Sequence, residues 1–428
     1  MTATLSPPQH PQPESAQALI REARRVTRRR RRRQSALVAG VLVMAAILLV
    51  SWHGGGTPAP RARPRLPRPP VQRRVEGPSL GLATDYQLTG PVGVAADRAG
   101  DIYFTDGNRV YEVVQATGQL EVVAGTGKPG YSGNGGPGPR AALSSPSGIT
   151  VAPNGDVYFE DGNRIRMVSA ADGIISTVAG DGHTGSSGNG GPALRASLDL
   201  GSPVTGASGL EDVLAVSPFG DLYIAEPANN EVEEVTPSTG VITRVAGGGD
   251  YCGPLDGICA ARVHPCAPVG VTIDHSSNIF VATACGLVRE ISATTGRRTT
   301  TFSAPRDPAL AGSGSSSDLI GLAVGDDGHL LVAEAYGRRL LDVTLRTGKV
   351  TLVAGTGVQT LPQVGQTAGD GGPAAQATFG LVSGTAVDAS GTVYVADLFN
   401  NAIRRIDAGT GIITTVAGEI PTSPAHCC

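Results

Sequence analysis

The stretch "LVSGTAVDASGTVYVADLFNNAIRRIDAGTGIITTVAG" (residues 381–418) decides the fold. It divides into four short apolar runs separated by Ala-Ser-Gly, Leu-Phe-Asn-Asn and Gly-Thr-Gly. Runs such as "TVYVAD" (392–397), rich in β-branched and aromatic residues, read as strands packed between layers. Glycine between them supplies the positive φ that a tight hairpin needs. A close copy, "SPSGITVAPNGDVYFEDGNRIRMVSAADGIISTVAG", occupies residues 145–180.

The same pattern fits six times. First strands begin near Gly93, Gly148, Val213, Gly270, Gly321 and Gly384, with starts 51 to 65 residues apart. Second strands are "DIYFTD" (101–106), "DVYFED" (156–161), "DLYIAE" (221–226), "NIFVAT" (278–283), "HLLVAE" (329–334) and "TVYVAD" (392–397). Fourth strands close on "VAG", except in the fourth unit, where "TTTF" (299–302) stands instead. Four antiparallel strands repeated six times specify an all-β, six-bladed propeller. The last "VAG" completes the sixth blade, and residues 79–90 are free to add a strand, so the mode of ring closure stays open.

The pattern G-V-A-V-D-x-x-G-x-V-Y-V-A-D-x-x-N-x-x-I-R resembles bacterial NHL-repeat proteins, the propellers of teneurins and the sensor propeller of mycobacterial receptor kinases. The resemblance covers about residues 91–418. It implies the NHL-type fold and leaves function open, because propellers host many chemistries.

Strand order separates two faces. Turns one–two and three–four share one; loops two–three and the linkers between blades share the other, the linker face. Second strands end there on Asp106, Asp161, Glu226, Thr283, Glu334 and Asp397. Five carboxylates in a ring near the channel mouth could hold a hard cation such as calcium. The competing reading makes each a turn acceptor for amides of its own two–three loop. Asn108, Arg109, Asn163, Arg164, Asn401 and Arg404 stand nearby and complete the candidate ligand-binding set, weighted to one side of the ring. No cofactor is called for beyond that cation.

"SGNGGPALRASL" (187–198) superficially resembles a phosphate loop, but Pro192 stands where the lysine belongs. Sister copies at 132–143 and 368–379 follow "VAG" strands, which makes the motif a blade linker.

The N-terminal region differs in kind. Residues 1–76 carry 15 basic and 3 acidic side chains, leaving 19 basic and 34 acidic for 77–428. So acidic a body disfavours nucleic acid. The expected order is a basic cytoplasmic segment (1–34), a transmembrane signal-anchor (35–52), a Pro/Arg-rich stalk (53–78), the propeller (79–420) and a short tail (421–428). Arg28–Arg33 before "SALVAGVLVMAAILLVSW" predicts an inside N-terminus, with cleavage of the apolar segment as the alternative. All six cysteines lie beyond that segment, in an oxidising location. The blade-four register predicts Cys266–Cys285, which leaves Cys252–Cys259 to close a small loop; Cys427 and Cys428 are unassigned.

Function reduces to three classes. The favoured one is a membrane-anchored, extracytoplasmic module binding a protein, peptide or envelope glycan on the linker face. The second is a propeller enzyme, lactonase-like, strictosidine-synthase-like or a lyase, working through channel carboxylates. Against it, no three-histidine set or Ser-His-Asp order stands out. The third is a passive structural protein of the envelope.

Overall fold

The computed structural model describes residues 77–201, 213–247, 267–284, 286–296, 298–303, 319–325, 328–335, 337–358 and 369–418. The anchor, almost all of the stalk and all six cysteines lie outside the described residues, so both disulfide assignments do too. Among the described residues no helix is long and apolar enough to cross a membrane.

Six antiparallel sheets follow one another along the chain, each built from consecutive strands. The first strands are Pro91–Ala96, Pro146–Val151, Leu214–Val216, Pro268–Ile273, Leu319–Val324 and Val382–Val387. The fourth are Gln119–Ala124, Ile175–Ala179, Val241–Gly247, Arg298–Ser303, Lys349–Ala354 and Ile413–Ala417. Blade four therefore keeps its outer strand although "VAG" is absent. The threonines of "TTTF" suit a strand by β-branching alone.

The core lies in the seams between blades. Second-strand side chains alternate, one set packing on the preceding blade and the next on the following one. Val157 and Phe159 join Tyr103 and Val110 of blade one, whereas Tyr158 joins the cluster of blade three. This alternation is why the second strands are buried along their whole length in five blades and from Leu330 onward in blade five.

The linkers act as staples. Gly180 N–H donates to the Ala193 carbonyl, and Ala193 N–H donates to the Gly240 carbonyl. One small residue thus joins the end of one outer strand to the turn before the next. Gly138 does the same between Gly125 and Gly173, and Ala374 between Gly355 and Gly411. Ring closure uses the same device. Gly418 N–H donates to the Ala83 carbonyl, and Ala83 N–H to the Gly118 carbonyl. Ala83 follows a strand, Ser79–Leu82, that pairs with the outer strand of blade one and makes that sheet five-stranded. The N-terminal segment therefore stands in for the linker that a closed ring would otherwise lack.

Candidate functional site

The channel is walled by the first strands. Ala95, Thr150, Ala215, Thr272, Ala323 and Ala386 occupy equivalent positions around it, enclosing about 140 Å³. Small side chains are needed where six strands converge. Among the described residues no acid forms part of this wall.

The five acids lie within the blades instead, each no more than 5% exposed. Asp106 accepts the Thr89 amide at 3.1 Å and its hydroxyl at 2.8 Å. Asp161 accepts the Ser144 amide and, at 3.0 Å, Nη1 of Arg166. Asp397 accepts the Gly380 amide at 2.8 Å, Nδ2 of Asn400 at 2.8 Å and Nη1 of Arg404 at 3.4 Å. Glu226 accepts the Asp199 amide at 2.9 Å, and Glu334 accepts Nε of Arg339 at 2.8 Å. The amides belong mainly to the segment entering the same blade's first strand, 17 residues upstream in three cases, rather than to the two–three loop. The acid thus fixes the entry of its own blade. Burial pushes the carboxyl groups of Asp106, Asp161 and Glu226 above their usual range. It pushes Asp397 up to about 6, against the pull of Asn400 and Arg404.

The other candidate residues divide by depth. Arg109 and Arg164 reach outward to carbonyls of the following linker, Thr126 at 3.0 Å and Asp181 at 2.9 Å. Arg404 belongs with Arg166: both sit two positions further along the third strand, fully buried. Each also bonds the polar residue of the glycine-rich linker, Asn134 for Arg166 and Asp370 for Arg404. Asn108 accepts the Ser145 amide at 3.1 Å, clamping the next blade at a left-handed residue. Asn163 Nδ2 donates to Thr184 Oγ1 at 2.8 Å, and Asn401 is itself left-handed at φ 51°. The eleven residues therefore lie near one face but form separate local networks.

Sequence reading missed Arg166 and its blade-three counterpart Glu233. Aligning third strands by their two-residue period puts Arg166, Glu233 and Arg404 at one position. Blade three inverts the charge there. Glu233 faces Glu226, while Arg244 on the fourth strand pairs with Glu231 at 2.7 Å. Desolvation, then the hydrogen bond to Glu226, pushes Glu233 up to about 9. Among the described residues no group of three or more His, Cys, Asp or Glu stands in a metal-holding arrangement.

At the surface of the linker side, Tyr131 is 43% exposed, with the Arg164 guanidinium 4.0 Å from its ring centroid. Phe399, in the two–three loop of blade six, is 54% exposed. Blades two and six both flank blade one.

The family model described as the teneurin NHL domain matches residues 110–192 and 327–427. Teneurin-1 of Mus musculus is 30% identical over 328 residues, 71% of this chain and 10% of teneurin-1. Teneurin-4 of Mus musculus is 28% identical over 340 residues, 74% of this chain and 10% of its own. The chain thus spans about a tenth of the length of these relatives. Among solved structures, virginiamycin B lyase from Staphylococcus aureus is 17% identical with a TM-score of 0.44, over 79% of this chain and 87% of that one. Six sheets in a closed ring, the repeat that builds them and the matched segments agree: the chain is an NHL-repeat six-bladed β-propeller, similar to the NHL domain of teneurins.

Proposed function

We propose that the chain is a protein-binding module, held at a membrane by residues 35–52 and carrying its propeller outside the cytoplasm. The carrying observation is the division of labour on the linker side. The five second-strand acids are consumed by the fold, whereas Tyr131 with Arg164, and Phe399, stay at the surface. Aromatic and arginine side chains are the usual anchors of protein interfaces. A protein or peptide supplying apolar groups with carboxylates suits such a surface better than a glycan, which would also need a concave polar cradle. The basic run before residue 35 supports an inside N-terminus by the positive-inside rule.

Site-specific photocrosslinking in the intact chain tests the reading. A benzophenone side chain at Phe399 or Tyr131 is expected to give a discrete protein adduct. The same group at Phe219, 83% exposed in a one–two turn on the opposite face, should give none. Equal labelling from both faces, or none from the linker face, overturns the assignment.

A further inference from the structure

One seam differs from the other five. The third residue of the second strand is aromatic in five blades: Tyr103, Tyr158, Tyr223, Phe280 and Tyr394. In blade five it is Leu331. These side chains pack on the following blade, as Tyr103 does on blade two, Phe280 on blade five and Leu331 on blade six. The residue directly across the strand pair is Glu112, Met167, Glu234, Glu290 or Arg405 in the other blades, and Asp342 in blade five. Both members of the pair are shortened in the same blade.

A groove of about 530 Å³ lies at that seam, within the range of small-molecule sites. Its floor is apolar, with Leu331 and Val353 from blade five against Val393 and Ile406 from blade six. Its mouth, on the turn face, is acidic. Asp342, Asp388 and Asp407 line it, and no lysine or arginine is among its described lining residues. Asp407 is paired with Arg405 at 3.1 Å, which leaves Asp342 and Asp388 as the acids facing the groove without an arginine or lysine partner among the described residues. A third departure from the repeat falls in the same place. The first residue of the second strand is Asp or Asn in blades one to four and Thr392 in blade six, and in blades one, two and four its oxygen accepts an amide of the three–four turn. In blade five it is His329, whose Nδ1 lies 2.9 Å from both carboxylate oxygens of Asp342.

The polar partners of the absent ring persist in altered form. Tyr103 donates its hydroxyl to Glu112 at 2.9 Å, and Tyr394 donates to Asp388 at 3.1 Å. Blade five keeps an acid opposite, Asp342, and has no aromatic hydroxyl to bring to it. We infer that the seam between blades five and six is a binding site for a small aromatic amine. The ligand's ring occupies the space that an aromatic side chain fills at the other seams. Its ammonium group and any phenolic hydroxyl meet the carboxylates of Asp342 and Asp388. Asp342 and Asp388, which have no arginine or lysine partner among the described residues, select a cationic ligand over an anionic one, since an anion brought there would face carboxylates in a partly desolvated site. The site lies on the face opposite the linkers, so its test is independent of the protein-binding reading.

The probe is tyramine, added to the full-length protein and followed by saturation-transfer NMR and calorimetry. Saturable binding is expected, with 4-hydroxyphenylacetate, which carries an anion in place of the amine, weaker by about tenfold or more. Leu331→Tyr restores the residue of four of the other blades and should lower tyramine affinity by about tenfold or more, with the melting temperature unchanged or raised. Leu331→Phe, which copies the Phe280 position of blade four, serves the same purpose should the tyrosine variant fold poorly. Asp342→Asn should weaken the amine selectively and narrow the gap to the anion. Absence of saturable tyramine binding to the wild type overturns the proposal. So does undiminished binding to a folded Leu331→Tyr or Leu331→Phe variant, or equal binding of amine and anion.

Discussion

Two buried pairs show how one side chain decides the character of a blade. Asp397 and Arg404 are both fully buried, 3.4 Å apart, with the Gly380 amide and Asn400 completing the carboxylate's shell. Removing the arginine leaves a desolvated charge behind, so Arg404→Ala is expected to cost about 3–5 kcal/mol. The shift of the urea midpoint measures this, and a cost near zero would mean that water reaches the carboxylate. Blade three presents the opposite case. Glu233 holds its proton in the folded state up to about 9, whereas an unfolded glutamate releases it near its ordinary value of about 4.3. A group raised in this way favours folding fully at low pH, and its contribution is lost as pH climbs from that value towards 9. Glu233→Gln keeps the donor to Glu226 and removes the titration. Its melting temperature should therefore fall less than that of the wild type between about pH 5 and pH 9. Parallel curves would exclude Glu233 as the proton holder. Neither pair was legible from the second-strand acids alone. The acids are marked by the repeat, but the residue facing each one comes from another strand.

The staple is the element that turns six sheets into a ring. Each copy presents one small, buried residue whose amide and carbonyl bond two different blades. Three copies place alanine at that point and one places Gly138. A Cβ on Gly138 would overlap the Val123 carbonyl oxygen. Gly138→Ala is accordingly expected to destabilise by about 1–3 kcal/mol, measured by chemical denaturation, although alanine is native at the other three. Ala83→Pro removes the amide that Gly118 accepts and should loosen the closing seam. Amide hydrogen exchange should then accelerate in Gln119–Ala124 and Ile413–Ala417 before it does in blade three. Uniform acceleration would show that closure is not local. The glycine-rich linkers are recognisable as linkers because they recur after "VAG". That Ala83 plays the same part is not, since Leu82 precedes it where the linkers place Gly-Gly-Pro, and the Gly77-Pro78 pair of its segment stands upstream of the strand instead.

At the level of the whole molecule, the anchor and the propeller make separate demands. If residues 35–52 hold the protein in a bilayer, the intact chain should resist alkaline carbonate extraction and deletion of that segment should release it. Release of the intact chain by carbonate alone would remove the membrane from the account. The repeat determined the rest of the architecture by itself. Four apolar runs with fixed turn chemistry, six times over, leave sheets that must bury both faces, and only neighbouring copies can cover them. "TTTF" reads as a strand without its usual ending for the same reason, because period and β-branching outweigh a lost motif. What tertiary structure alone decided is where the side chains of that repeat are consumed. The second-strand acids face the amides of blade entry and not the channel, because the first strands wall the channel and each second strand lies one strand further out. The odd seam at Leu331, His329 and Asp342 exists only where three positions from two strands converge on the next blade. A sequence lists such departures separately. Their sum is a volume, and volume is a property of packed neighbours rather than of any single strand.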